Sequence, residues 1–326
     1  MNRISFIALL SAAQIVAAPA LAQNAKPAPK TPPAKEQAAQ KSNPNADLAF
    51  GAFQRGYYLT AFTEATKRVD EKQDPKAMTL LAELYANGFG VKQDDVKAAE
   101  WYRLAAERGD REAMFALAMF RIGGRGGAKS REEAARLLAS AAKLGHAAAA
   151  YDLGLLYIEG QQFPQDFARA AELLRQAANA GSPDAQYALA TFYKEGRGVP
   201  KDEREAAKLM GAAALAGNLD AQTEYSIALY NGTGVAKDEA AAARLLLRAA
   251  NRGSPIAQNR LARVFASGRG LPADPVEAVK WHMISKAGGA TDLYLDEFAQ
   301  KQPPKVREDA EKAAKPWLAR IAAARS

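Results

Sequence analysis

The chain has 326 residues, with 44 lysines and arginines against 36 acidic residues and no cysteine. The absent thiols exclude cysteine nucleophiles, thiolate metal sites, disulfide staples and a lipid-anchored lipoprotein. The net charge of +8 falls to +4 over residues 47–326 once Arg3 and the +3 of residues 23–46 are set aside. Acidic and basic residues are interspersed there rather than gathered in a stripe, so no nucleic-acid partner is expected.

Residues 1–22 read as an export signal. Met1-Asn2-Arg3 supplies a positive start, and Ile4–Ala18 is an apolar run too short to span a bilayer comfortably. Ala20-Leu21-Ala22 fits a small-x-small cleavage site, which places cleavage after Ala22 and the mature protein in the periplasm or outside the cell. No later segment is apolar enough to cross a membrane, so no integral membrane span is expected after cleavage. Residues 23–46 are a Pro/Ala/Lys linker without apolar period, expected to be disordered. Residues 47–73 suggest a degenerate first helix pair, with Ala49, Phe53 and Tyr57 on one helix and Phe62, Ala65 and Val69 on the next.

From residue 74 to residue 289 a period of 36 residues runs through six copies. An alanine recurs at Ala77, Ala113, Ala149, Ala185, Ala221 and Ala257. Glycines recur at Gly88, Gly124, Gly160, Gly196, Gly232 and Gly268, and again at Gly109, Gly145, Gly181, Gly217, Gly253 and Gly289. Such a period predicts an all-α, right-handed α-solenoid of stacked antiparallel helix pairs. Ser182-Pro183, Ser254-Pro255 and Asp74-Pro75 open first helices, and Gly196 with Gly198 ends one. Asp94, Ser130, Asp166, Asp202, Asp238 and Asp274 open second helices. The alanine pairs Ala98-Ala99, Ala134-Ala135, Ala170-Ala171 and Ala206-Ala207 let helices approach closely. Trp101, Leu137, Leu173, Leu209, Leu245 and Trp281 share the slot read as the larger core contact. Residues 290–326 leave the period. Leu293, Leu295 and Phe298 mark a short helix, and a longer one is expected from Lys305 to Ala323, both as C-terminal caps.

The order A-x-x-x-L-[AG]-x-x-Y-x-x-G, then G-V-x-x-D, then an alanine-paired helix ending in glycine, resembles the Sel-one-like repeat, a relative of the tetratricopeptide repeat. Ala77 to Gly88 and Gly90-Val91-Lys92-Gln93-Asp94 carry it. Local departures are Gln162 at the second glycine, Arg121 at the tyrosine and Ser285-Lys286 at the last alanine pair. The resemblance also bears on function. Some exported members regulate sensor kinases, and some cysteine-rich members are linked to β-lactam chemistry.

Motifs that suggest chemistry have structural readings in this register. Gly123-Gly124-Arg125-Gly126-Gly127-Ala128-Lys129-Ser130 approaches a phosphate loop but lacks its second glycine and a preceding strand. Ser140-Ala141-Ala142-Lys143 matches S-x-x-K, yet neither S-D-N nor K-T-G occurs in the chain. His146 and His282 have no partner at metal-ligand spacing and read as packing or surface residues, and the aspartate series reads as helix caps rather than a calcium array. No catalytic residue, metal or cofactor is expected.

The candidate site is instead a groove on the first helix of each pair, expected to line the concave side. One row runs through Phe115, Tyr151 and Tyr187, a second through Met119, Leu155, Thr191 and Ile227, and a third through Ile122, Ile158, Lys194 and Tyr230. Apolar middle copies between polar ends suit a peptide. The row of Phe115, Tyr151 and Tyr187 reads more as a slot that packs adjacent units than as a binding surface, and the row of Met119, Leu155 and Ile227 is the better pointer to binding. The leading reading is a monomeric, non-enzymatic periplasmic scaffold binding a peptide or envelope-protein segment. The alternatives are an inhibitor of a sensor kinase controlling envelope or polysaccharide genes, and an enzyme acting on cell wall or β-lactams.

Overall fold

The computed structural model describes residues 47–324. The signal and linker expected over residues 1–46 lie outside them, as do the last two residues. The described residues hold sixteen helices and no strand. They divide into two compact units, meeting in sequence between His146 and Ala147.

The first unit contains α1 (Leu48–Gln54), α2 (Tyr58–Lys72), α3 (Pro75–Asn87), α4 (Asp95–Glu107), α5 (Arg111–Gly123) and α6 (Arg131–Lys143). Each helix packs on its chain neighbour. The stretch 47–73 is therefore a helix pair, with Ala49, Ala52, Ala61, Ala65 and Val69 buried between α1, α2 and α3. Phe53, Tyr58 and Phe89 close its end in an aromatic cluster, the Tyr58 and Phe89 rings stacked at 4.7 Å.

The second unit contains α7 (Ala147–Glu159), α8 (Phe167–Asn179), α9 (Pro183–Glu195), α10 (Glu203–Leu215), α11 (Leu219–Asn231), α12 (Glu239–Asn251), α13 (Pro255–Ser267) and α14 (Pro275–Ala287). The short α15 (Leu293–Gln300) and the longer α16 (Pro304–Ala323) end it, both packed on α14.

The aspartate series caps second helices. Asp94, Ser130, Asp166, Asp238 and Asp274 each accept from the backbone N–H three residues on, and Asp202 accepts from both Arg204 and Glu205. Satisfying those otherwise orphaned donors is why the series recurs with the period. Asp202→Ala is expected to cost about 1 kcal/mol of stability in urea denaturation. The same device opens first helices at Asp74, Asp110, Ser182, Asn218 and Ser254.

Gly123–Ser130 is a turn between α5 and α6: Gly124 ends α5 in the left-handed conformation and Ser130 starts α6. The expectation for Gly198 needs correction. Gly196 alone caps α9. Gly198 instead lies where the turn presses on the start of α8, and a Cβ there would fall 2.2 Å from the Phe167 carbonyl oxygen.

The core slot also differs by one residue from the reading above. Trp101, Leu137, Leu209 and Leu245 are half-buried, whereas Tyr102, Leu138, Leu174, Met210, Leu246 and His282, one position later, are all buried. Both positions are apolar in most copies, and each residue turns a helix by about 100°. Only the neighbouring helix decides which one points inward. Leu173 and Trp281 are buried as well.

Candidate functional site

The expected groove residues divide between the two units. In the first, Phe115, Met119 and Ile122 lie on one face of α5 and are all half-buried. The Phe115 ring stacks on the His146 imidazole at 4.4 Å, and His146 Nε2 lies 3.0 Å from Glu112 Oε2. Phe115 is thus held from behind by a buried, hydrogen-bonded histidine. By register His146 occupies the position that Asp110 and Ser182 use to open first helices.

In the second unit, Tyr151 and Leu155 on α7, Tyr187 and Thr191 on α9, and Ile227 and Tyr230 on α11 are half-buried, and Lys194 is exposed. Ile158 does not join an accessible row: only 8% of it is exposed. Gln165 Nε2, in the turn into α8, donates to the Ile158 backbone carbonyl at 2.7 Å. Lys194 Nζ donates to Glu224 at 2.7 Å and so ties α9 to α11. Tyr187 packs partly on the core formed by Ala190, Met210, Ala213 and Ala221. Its row therefore serves packing as well as presenting a surface.

Ile227 and Tyr230 are brought together with residues of α13 and α15 around a cleft of about 370 Å³. The Arg269 guanidinium lies over the Tyr230 ring at 4.7 Å and is ion-paired with Glu239. Arg263 forks onto Asp292 through Nε and Nη2 at 2.6 and 2.7 Å, and Asn259 Nδ2 donates to the same carboxylate at 3.1 Å. Burial opposes ionisation of Asp292, but these donors outweigh it and hold the carboxyl below its ordinary range. A broader hollow of about 760 Å³, beside Lys201, Glu203 and Val235, lies where the turn after α11 meets the start of α10.

The apolar rows did not disclose an acidic set on the same helices. Burial pushes the Asp152 carboxyl up to about 6. Asp220 is raised by burial and then by the charges of Glu224 and Asp184. Tyr151 is pushed up to about 12, first by burial and then by Asp184 and Asp152, and Tyr187 is raised by burial and then by Glu224, Asp220 and Glu195. An aromatic surface over α7, α9 and α11 thus carries carboxylates, whereas the α11–α13 cleft carries arginines.

The Asp152 shift has a signed consequence. Its folded-state value lies above its ordinary value, so between roughly pH 4 and 6 the folded chain keeps a proton that the unfolded chain has lost. This contribution to stability is present at low pH and is lost as pH rises through about 6. Asp152→Asn is expected to remove that slope and to raise stability at pH 7. Parallel urea titrations at pH 4, 5, 6 and 7 check it.

The Ser140 hydroxyl donates to the Arg136 carbonyl of its own helix, one turn back, at 3.1 Å. His282 is buried in the core slot, its Nε2 2.9 Å from Asp296 Oδ1. No group of three or more His, Cys, Asp and Glu side chains that could hold a metal ion is found among the described residues. No helix among them is long and apolar enough to cross a membrane.

The repeat's own family is decided by comparison with family models. The Sel1 repeat matches six times in succession, at residues 75–110, 111–146, 147–182, 183–218, 219–254 and 255–282, more than half the chain. The chain belongs to the Sel1 repeat family. The last Sel1 match stops short of the Ser285-Lys286 departure.

Among solved structures, the chain is similar to a Sel1 repeat protein from Oxalobacter formigenes, at 27% identity and a TM-score of 0.66, over 75% of this chain and 100% of that one. It also shares its fold with c5321, a protective antigen of uropathogenic Escherichia coli. There the identity is 24% and the TM-score 0.58, over 83% of this chain and 67% of that one. No match was found among curated proteins. Sel1 repeat folds are typically scaffolds for protein–protein interaction and are generally non-catalytic.

Proposed function

We propose that this Sel1 repeat protein is a non-enzymatic periplasmic scaffold that holds a peptide, or a loop of an envelope protein, against its first helices. One observation carries the reading. Ile227 and Tyr230 are large apolar residues left half-covered in the lining of a cleft, while Leu246 and Val264 of the same lining are buried. Half-covered apolar side chains beside fixed charges are the pattern of a recognition surface. Tyr151, Leu155, Tyr187 and Thr191 extend the half-buried positions along α7 and α9 of the same unit, and Phe115, Met119 and Ile122 repeat them on α5. The envelope location rests on the export signal read in residues 1–22.

Affinity capture from periplasm tests it, comparing the wild type with the Met119→Asp/Leu155→Asp variant. Loss of a captured protein by a variant whose helical circular dichroism and melting are unchanged is the expected result. An identical capture profile from the two proteins would contradict the reading.

A further inference from the structure

The cleft between α11 and α13 carries one uncompensated positive charge. Three arginines line it and no acidic residue does. Arg263 is taken up by Asp292 and Arg269 by Glu239. Arg260 is exposed and has no hydrogen bond, ion pair or ring contact among the described residues. Asn231, on the rim, is likewise exposed and unpartnered. The floor is apolar: Leu246 and Val264 are each 3% exposed, and Ile227 stands beside them. One free guanidinium over an apolar floor calls for one carboxylate joined to one apolar side chain.

Size narrows the occupant further. A cleft of about 370 Å³ is at the low end of ligand pockets, room for about two residues rather than a run of chain. The last residue of a polypeptide offers its carboxylate and its side chain from the same Cα, so a single residue meets both requirements. We infer that this cleft captures the free C-terminus of a partner polypeptide ending in an apolar residue. Arg260 holds the terminal carboxylate, Ile227, Leu246 and Val264 take the side chain, and the Asn231 amide meets the peptide backbone. The inference rests on the scaffold reading and gives it an anchor point.

The test uses the full mature chain and three fluorescein-labelled Gly/Ser decapeptides. One ends in leucine with a free carboxylate, the second is its C-terminal amide, and the third is that amide with glutamate before the leucine. Fluorescence anisotropy is expected to show the free acid binding at least about tenfold tighter than either amide, the usual size of a charge-assisted hydrogen bond. Arg260→Gln, an exposed change, is expected to bring the acid down to the level of the amides, with no change in melting. Replacing the terminal leucine by serine is expected to weaken the acid comparably.

Equal binding of acid and amide, tighter binding of the glutamate peptide, or an Arg260→Gln variant that still prefers the acid would each overturn the inference. So would the absence of binding by all three. The scaffold reading fails separately, through an unchanged capture profile for the Met119→Asp/Leu155→Asp variant.

Discussion

Gly234→Ala is expected to destabilise the second unit by about 3 kcal/mol or more, although it adds a single methyl group. Two costs combine. Gly234 has φ +69°, and a non-glycine residue in the left-handed region costs about 1–2 kcal/mol. The new Cβ would also stand 1.9 Å from the Glu203 carbonyl oxygen and 3.2 Å from the Ala207 Cβ. The obstacle is backbone at the start of α10, which cannot rotate away, and overpacking of that kind costs about 1–3 kcal/mol. Gly217→Ala separates the two costs, because Gly217 has φ +95° but a Cβ there meets nothing within 4 Å. Urea denaturation followed by circular dichroism should therefore show a small loss for Gly217→Ala and a larger one for Gly234→Ala. Equal losses would mean that the close approach of the turn to α10 contributes nothing.

The second large effect is expected at the C-terminal end of the stack. Trp281→Ala should cost about 3–5 kcal/mol, the range for a buried aromatic truncated in a core. Trp281 is 2% exposed, with its ring 5.3 Å from that of Trp317 in an edge-on arrangement and its Nε1 donating to Glu277 at 2.9 Å. Trp101 fills the same repeat slot in the first copy and is only half-buried. The difference is α16, which lays Trp317, Leu318 and Ile321 against the last core. If the terminal helix is what buries the slot, Trp317→Ala should destabilise as well, and in a Trp101→Phe background, where Trp281 is the one tryptophan left, the emission should shift to longer wavelength. A Trp281→Ala loss below about 1 kcal/mol would show that the terminal helices do not cap the core.

These two sites also mark how far the sequence carries. The period and the capping residues were legible because each answers a local need of the backbone. An orphaned N–H demands an oxygen at Asp94 or Asp238, whatever lies elsewhere in the fold. The resemblance to the Sel-one-like repeat was legible for the same reason. Features that depend on a second helix were not. The inward slot at Tyr102 and Leu138 was displaced to its neighbour, and the Gly198 contact with Phe167 read as a helix end. His146 showed no partner in the sequence because Glu112 stands 34 residues away.

The apolar rows of the candidate site were visible as variable slots within a fixed register. Ile158 was not separable from Ile122 and Tyr230, because all three fill one slot of the register and differ only in how far the fold buries them. The carboxylates around Tyr151 and Tyr187, and the pairing that leaves Arg260 alone among three arginines, require distances between helices.

The central claim is that the first helices, not the second, meet a partner. It is tested most directly by placing a photo-crosslinking amino acid in the full-length protein in living cells, once at Ile227 and once at Leu247. Leu247 is 38% exposed but lies on the second helix α12. The account predicts a discrete protein adduct from Ile227, lost when Leu155→Asp is added, and none from Leu247. Equal adducts from the two positions, or an Ile227 adduct indifferent to Leu155→Asp, would contradict it.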